Sequence, residues 1–198
     1  MKRLTVSGCI LLLLSLSAWA QEVRQEVTLQ GSGFFPKETT QSGITSNPTY
    51  SGGVLAGYRI NIKRWLAVEG NYDYFRNSQK YSSSGGSTFV PTNVHAITGL
   101  AVFKIPTSGL MKYYLQPYAL AGGGGIIFDP RDTNSVSKQT RGSFVYGAGA
   151  DVPLAKHIAI RAEYRGFLYK VPDFGLSPLR MDKFTHAAVP SAGLVFTF

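Results

Sequence analysis

Alternation of apolar and polar side chains, repeated in stretches of about ten residues, constrains this chain more than any other feature. Within residues 50–62, Val54 and Tyr58 fall on one face of an extended strand, while Arg59 and Asn61 fall on the other. Successive side chains of a β-strand point to opposite faces, so this stretch has one apolar and one polar face. The period of two therefore predicts half-buried β-strands.

The same pattern continues to the end of the chain with varying clarity and predicts eight strands. They cover residues 25–35, 50–62, 66–74, 94–105, 113–128, 143–152, 157–169 and 187–198. In 94–105 and 113–128 both faces are apolar or small, so the pattern leaves the orientation of these two strands open.

The connections between these strands alternate in length. Long polar segments follow every odd strand, at residues 36–49, 76–92, 129–142 and 172–186, whereas short turns follow the even ones, at 63–64, 106–112 and 153–156. An even strand count with long loops on one side and short turns on the other is typical of transmembrane barrels. Only a closed sheet satisfies its backbone groups inside a bilayer. The sequence thus predicts an all-β fold, an eight-stranded antiparallel up-and-down transmembrane β-barrel.

Composition supports a membrane barrel over a soluble one. Only 16% of the residues are charged, against about 25% in ordinary soluble domains, while 44% are hydrophobic and 13% aromatic. A soluble lipocalin-type barrel would turn its apolar face inward to hold a ligand. Here the face opposite the apolar one carries charges in mid-strand, which indicates a polar lumen. The predicted lumenal charge network consists of Arg59, Glu69, Arg161, Glu163 and Arg165.

The N-terminus has the pattern of a secretory signal peptide. Lys2 and Arg3 precede a short leucine-rich run, and Ala18 and Ala20 flank Trp19 before a polar stretch. We expect a signal peptide at 1–20, cleaved after Ala20, and an outer membrane β-barrel domain at 21–198. The only cysteine lies in the signal segment, so the mature domain would have no disulfide.

Three motifs resemble the OmpA-like outer membrane β-barrel family. They are YRINIKRWLAVEGNY at 58–72, RAEYR at 161–165 and GLVFTF at 193–198. The resemblance covers essentially the whole mature chain but not the peptidoglycan-binding domain of larger members. It implies a location in the Gram-negative outer membrane, with both termini in the periplasm. It also implies that a lumenal charge network can rearrange to pass small ions.

Two interpretations of the lumenal charges follow. A turn centred on residues 63–64 places Arg59 opposite Glu69, and Glu163 lies between Arg161 and Arg165 on one face. Charges in a narrow interior are unfavourable unless paired. The first interpretation is a structural network that fills the lumen; the alternative is an ion gate. A general diffusion porin is not expected, because eight strands leave an interior just wide enough for side chains.

The C-terminal strand predicts a signal for outer membrane assembly. Leu194, Phe196 and Phe198 alternate to the end of the chain and resemble the segment that the assembly machinery recognises. Aromatic residues also favour the membrane boundary. We expect deletion of Phe198 to impair insertion, measured as the yield of heat-modifiable protein in the outer membrane; an undiminished yield would contradict this role.

Nothing in the sequence predicts a catalytic centre, a cofactor or a metal site. His186 and Ser191 are five residues apart, and strand alternation places them on opposite faces, which argues against a lipid-hydrolysing pair. Gly122–Gly125 lacks the Gly-Lys-Ser/Thr that would complete a phosphate-binding loop. We expect Gly147 and Gly149 roughly opposite this run, where glycines permit bending.

The predicted partners are outer membrane lipids, lipopolysaccharide and the outer membrane assembly machinery, together with an unidentified surface ligand and no nucleic acid. The formal charge of +9 falls to +7 without Lys2 and Arg3, and basic residues are frequent in the long loops. The predicted function is a non-enzymatic role in membrane integrity or surface interaction. The alternatives are a small ion or solute channel and, less favoured, a lipid-modifying enzyme.

Overall fold

The described part of the chain forms ten β-strands. The computed structural model describes residues 24–41, 44–46, 49–83, 86–107, 114–131, 138–172 and 183–198, so the predicted signal peptide lies outside the described residues. The strands are β1(Gln25–Pro36), β2(Thr39–Gln41), β3(Ile44–Ser46), β4(Ser51–Asn61), β5(Leu66–Ser83), β6(Gly86–Lys104), β7(Gln116–Pro130), β8(Gln139–Ala155), β9(Ile158–Lys170) and β10(Phe184–Thr197). No helix among the described residues has the length and apolarity of a helical membrane span.

The eight long strands close into a barrel. Each pairs antiparallel with its neighbours in chain order, β1-β4-β5-β6-β7-β8-β9-β10. The ring is completed by β10 and β1, which pair from Thr197↔Glu26 to Ala187↔Pro36. Every long strand therefore has a partner on both sides, which removes the unpaired edges of an open sheet. The predicted eight-stranded antiparallel barrel is confirmed.

Successive side chains alternate between the inner and outer faces of the barrel wall, as the sequence predicts. On β4, Val54 and Tyr58 are 52% and 41% exposed on the outside, whereas Arg59 is 1% exposed inside. The structure also orients the two ambiguous strands. On β6 and β7 the even-numbered residues face inward, among them Val94 and Tyr118, which are fully buried.

The barrel has two different ends. The end that carries residue 24, Phe198 and the turns at 62–65 and 156–157 is called the turn end, and the opposite end is called the loop end. The predicted 63–64 turn lies inside the first of these turns, and the predicted 153–156 turn moves to 156–157 because β8 continues to Ala155 through a register irregularity after Pro153.

Most of the predicted long loop at 76–92 is strand, which corrects the sequence prediction. β5 and β6 stay paired up to Ser83↔Gly86. Within predicted loop 36–49, β2 and β3 form a small hairpin, and β3 pairs with β5 through Thr45↔Ser82. The sequence of these segments is mostly polar and lacks the regular alternation that marks the barrel wall. Strand also extends into the other two predicted loops, because β7 ends at Pro130, β8 begins at Gln139 and β10 begins at Phe184.

The predicted pairing of glycines across β7 and β8 is wrong. Gly122 lies opposite Val145, whereas Gly147 and Gly149 lie opposite Leu120 and Tyr118. The register differs because β8 begins at Gln139, before its predicted start at 143, and pairs there with Phe128. Gly149 has a specific role, since a Cβ there would lie 2.6 Å from Cζ of Tyr118. The absence of a side chain leaves room for the tyrosine ring.

Candidate functional site: the lumenal charge network

The five charged residues predicted for the lumen all lie inside the barrel and are at most 5% exposed. Arg59 on β4 and Glu69 on β5 face each other directly in the hairpin register. Arg161, Glu163 and Arg165 occupy successive inward positions on β9. The structure brings all five together in the half of the lumen nearest the turn end.

Arg161 donates more hydrogen bonds than any other described cation of the network. Its Nε and Nη2 donate to the two carboxylate oxygens of Asp151, at 2.7 and 2.8 Å. Nη2 also donates to Glu26 at 2.9 Å, and Nη1 lies 3.4 Å from Glu69. A planar guanidinium matches a carboxylate in this two-bond geometry, which adds both strength and orientation. Arg161 thus joins β9 to β8, β1 and β5.

Arg165 extends the network toward the loop end. It forms ion pairs with Glu163 and with Glu69, the latter at 2.8 Å from Nη2. The same Nη2 donates to Asn71 at 3.2 Å. Asp73 lies 3.9 Å from Nη1, and neither of its buried carboxylate oxygens has a hydrogen-bond partner among the described residues. Asp73 is the weakest-paired carboxylate of the network.

Arg59 lies at the centre of the network. Its Nε pairs with Glu69, and its terminal nitrogens lie 3.7 Å from Glu26, 3.7 Å from Asp151 and 3.8 Å from Glu163. Those two terminal nitrogens have no hydrogen-bond partner among the described residues. One guanidinium therefore lies within 4 Å of four carboxylates but donates to only one.

Tyr118 is an essential member that the sequence did not predict. The guanidinium of Arg59 lies 4.4 Å from the centre of its ring, close enough for a cation–π contact. Its hydroxyl donates to Glu163 at 2.6 Å. The orientation of β7 was open at the level of sequence, so no pattern placed this tyrosine in the lumen.

The turn end of the network is closed by Glu26. This carboxylate accepts a hydrogen bond from Asn61 at 2.8 Å and pairs with Lys104 at 3.0 Å. A small cavity of about 60 Å³ opens beside it and reaches Asp151. The described network comprises four cations and five carboxylates: Arg59, Lys104, Arg161 and Arg165, and Glu26, Glu69, Asp73, Asp151 and Glu163. Nearly balanced charge is what a narrow, poorly hydrated interior requires.

The lumen toward the loop end is mainly apolar, although Asn77 and Thr92 are also buried there. Phe34 and Phe75 stack with ring centres 4.9 Å apart, and Phe128 and Tyr169 meet at 5.8 Å. Further buried apolar side chains fill the space around them; they are Val94, Ala96, Ile126, Val145, Phe167, Ala187 and Val189. The buried charges of the predicted polar lumen are therefore concentrated in the turn-end half.

The other predicted residues lie on the wall of the barrel. Leu194 and Phe196 are exposed on the outer face of β10, and the backbone of Phe198 exchanges two hydrogen bonds of 3.1 Å with Gln25. His186 and Ser191 do lie on opposite faces. The imidazole contacts the hydroxyl of Tyr146 outside at 3.2 Å, whereas Ser191 is buried and donates to Gln30 inside.

Comparison with known proteins agrees with this architecture. The family described as outer membrane protein beta-barrel domain matches residues 7–194. The chain belongs to this family. This establishes a bacterial outer membrane protein and confirms the relationship to outer membrane barrels that the motifs indicate. No curated protein matches the chain in sequence.

Three solved structures illustrate the similarity. OprG of Pseudomonas aeruginosa superposes with a TM-score of 0.68 at 14% identity, covering 89% of this chain and 96% of that one. Neisserial surface protein A gives 0.64 at 14% identity, with 88% and 97% covered. Ail, the attachment invasion locus protein of Yersinia pestis, gives 0.54 at 16% identity, with 90% and 100% covered. At these identities the similarity shows the fold alone.

Proposed function

We propose that this protein is a non-catalytic outer membrane barrel that supports membrane integrity or surface interaction and carries no steady ion current. The occupied lumen is the observation that supports this proposal. Buried ion pairs fill its turn-end half, and packed aromatic and aliphatic side chains fill its loop-end half. A barrel filled in this way acts as an anchor for the segments that it presents outside the membrane.

The proposed orientation directs the turn end, with both termini, to the periplasm and the loop end to the cell exterior. The paired extension of β5 and β6 and the β2–β3 hairpin both lie at the loop end, where transmembrane barrels have their extracellular segments. We also propose the assembly machinery as a partner, acting on Leu194, Phe196 and Phe198.

The names of two similar structures favour a surface role. One is called a surface protein and the other an attachment invasion locus protein, and the latter was also solved in complex with the heparin analogue sucrose octasulfate. Basic residues at the loop end of this chain, including Lys37, Arg76 and Lys183, would suit an anionic surface ligand or lipopolysaccharide. The ligand itself is not identified by these observations.

Shortening the β5–β6 extension separates the two proposed roles. Residues 79–90 would be replaced by a two-residue turn, which keeps the barrel wall intact because the pairing with β7 begins at Thr92. In a strain lacking the native gene, this variant is expected to restore detergent resistance but not adhesion to a sulfated glycan surface. Loss of both phenotypes, with normal barrel yield, would assign the extension to membrane integrity.

Planar-bilayer recording tests the closed lumen directly. The full mature chain is expected to give no steady conductance in symmetric potassium chloride, because packed aromatic and aliphatic side chains occupy the loop-end half of the described lumen. Steady open-channel current from protein whose folding is verified by gel mobility would contradict the proposal. A large porin inserted in the same bilayer serves as a positive control.

A gated ion channel is the second candidate. It is favoured by Arg59, which lies within 4 Å of three carboxylates besides its partner Glu69, so alternative ion pairs need only short movements. For a gate, Arg59→Ala and Glu69→Ala would change the frequency or size of brief openings. Recordings of both variants indistinguishable from the parent would exclude this candidate.

A further inference from the structure

A preformed groove lies on the outer wall at the loop end, where residues 37–40 cross the beginning of β10. Its volume is about 380 Å³. The backbone N–H of Lys37 donates to the carbonyl of His186 at 2.8 Å, and the hydroxyl of Thr185 donates to the carbonyl of Lys37 at 3.1 Å. Thr39 in turn donates to the Thr185 hydroxyl at 3.1 Å. These bonds fix the segment to the barrel and keep the groove open.

The polar rim of the groove is cationic. Lys37 and Lys183 are exposed and line it. Lys183 donates one hydrogen bond to the carbonyl of Thr40 at 2.8 Å, which positions its ammonium and leaves two N–H donors. The side chain of Lys37 has no ion-pair partner in the described part of the chain. Glu38 is the one carboxylate among the described lining residues, so the rim keeps a net positive charge.

The floor of the groove is apolar and continues down the barrel wall. Leu168 and Phe184 line it and are 37% and 70% exposed. Below them, the outward positions of β10 carry three small residues, Ala188, Pro190 and Ala192. This shallow track is narrow, because it is bordered by Phe35 of β1, opposite Ala188, and by Tyr164 of β9, opposite Pro190. A hydrocarbon chain can lie along such a track without displacing a bulky side chain.

The height of the groove matches a membrane interface. Ten residues separate the outward Phe196 near the turn end from His186 at the groove. At about 3.4 Å per residue and a strand tilt of about 40°, they span roughly 26 Å along the barrel axis. The apolar band of an outer membrane barrel is about 25 Å tall. The cationic rim therefore lies at headgroup level when the apolar wall lies in the bilayer.

We propose that this groove binds one phosphorylated glycolipid of the outer leaflet. Lys37 and Lys183 hold a headgroup phosphate, and one acyl chain follows Ala188, Pro190 and Ala192. A lipid is favoured over a free anion because the cations adjoin an apolar track at the bilayer boundary. A lipid is favoured over a protein segment because the track is shallow and one chain wide. The site rests on the proposed orientation, with the loop end outside.

Lipid retention in native mass spectrometry tests this site. The full mature chain is released from phosphatidylcholine nanodiscs that contain bis-phosphorylated lipid A, and the fraction that retains one lipid A is measured. The double variant Lys37→Gln/Lys183→Gln is expected to weaken retention by about 30-fold, because each lysine near an anionic surface contributes about a fivefold factor. Ala188→Leu, which fills the track, should also weaken it.

Matched controls distinguish this site from general attraction. Lys63→Gln/Lys156→Gln removes the same charge from exposed positions at the turn end, and Ala148→Leu adds the same bulk to an exposed position on β8. Both should change lipid A retention by less than about twofold. The two control lysines lie more than a screening length from the groove, and Ala148 lies outside the track. Dephosphorylated lipid A should be retained as weakly by the parent as lipid A is by the lysine variant. All variants are first verified by heat-modifiable gel migration.

Several outcomes would overturn the proposal. Equal loss of lipid A retention in both double lysine variants would mean that the protein attracts anionic lipid diffusely. Full competition by inorganic phosphate would mean that the groove is a site for free anions. Loss of a dimer signal with Ala188→Leu, without loss of lipid, would mean that the track contacts a second copy. An epitope placed at 84–85 reports the orientation of the barrel separately. If antibody reaches the epitope on intact cells but the parent retains lipid A only weakly, the lipid site is overturned and the proposed function is not.

Discussion

The two halves of the lumen are filled by side chains of opposite chemistry. Near the turn end, space is filled by guanidinium groups and carboxylates such as Arg161 and Asp151, held by directional hydrogen bonds. Near the loop end, it is filled by rings such as Phe34 and Phe75, held by packing. Ion pairs fix which strands meet and in which register, but they are costly to bury. Apolar packing tolerates substitution better and excludes ions more completely.

The largest predicted effect is on the polar half. Arg161→Met leaves Asp151, Glu26 and Glu69 without their shared cation, and removal of one partner from a buried ion pair typically costs about 3–5 kcal/mol. We expect the free energy of unfolding in lipid vesicles to fall by that amount, measured by urea titration with gel mobility as the probe. Arg64→Met, at an exposed turn position, is the control. A loss as small as the control's would mean that the network is not limiting for stability.

The second prediction concerns the apolar half. Phe75→Ala removes a ring that stacks on Phe34, and truncation of a packed phenylalanine costs about 3 kcal/mol through lost contacts and the cavity that remains. Phe144→Ala, on the outer wall and 52% exposed, leaves no enclosed cavity and should cost clearly less. The same urea titration compares the two. Equal losses would show that the loop-end interior is not packed as a core.

The smallest predicted effect lies at the boundary between the halves. Asp73 is buried with an unpaired carboxylate and one distant cation, so Asp73→Asn should leave stability unchanged or raise it by up to about 1 kcal/mol. Asp151→Asn, which weakens two short hydrogen bonds to Arg161, should instead lower it by about 1–3 kcal/mol. If both variants lose the same free energy of unfolding, the carboxylate of Asp73 stabilises the barrel as much as that of Asp151 does.

The sequence predicts local features of this barrel well, because they depend on neighbours within one hairpin. The pairing of Arg59 with Glu69 follows from a turn and a period of two, and the barrel register agrees. For six of the eight predicted strands, alternation also shows which side chains face the lumen and which face outward. The extended β5–β6 hairpin was missed because residues 76–92 are mostly polar or glycine and lack regular alternation, a composition typical of loops.

Long-range features could not be predicted from the pattern. Glu26 meets Arg161 across 135 positions of the chain, a contact that is set by the stagger of strands around the ring. Tyr118 and the apolar half were missed for a related reason. Strands β6 and β7 have apolar residues facing both the lumen and the outside, so alternation carries no information about their orientation.

Closure of β10 on β1 has a consequence for how the protein is made. Residues near the two ends of the chain must meet, as Thr28 and Leu194 do across 166 positions. The ring is therefore incomplete until the last strand has been synthesised and delivered. Contacts of such sequence separation make folding slow, because much chain entropy is lost before they form. A nascent or truncated chain would expose two unpaired sheet edges in transit, so the interval before closure is when edge-to-edge aggregation is most favoured.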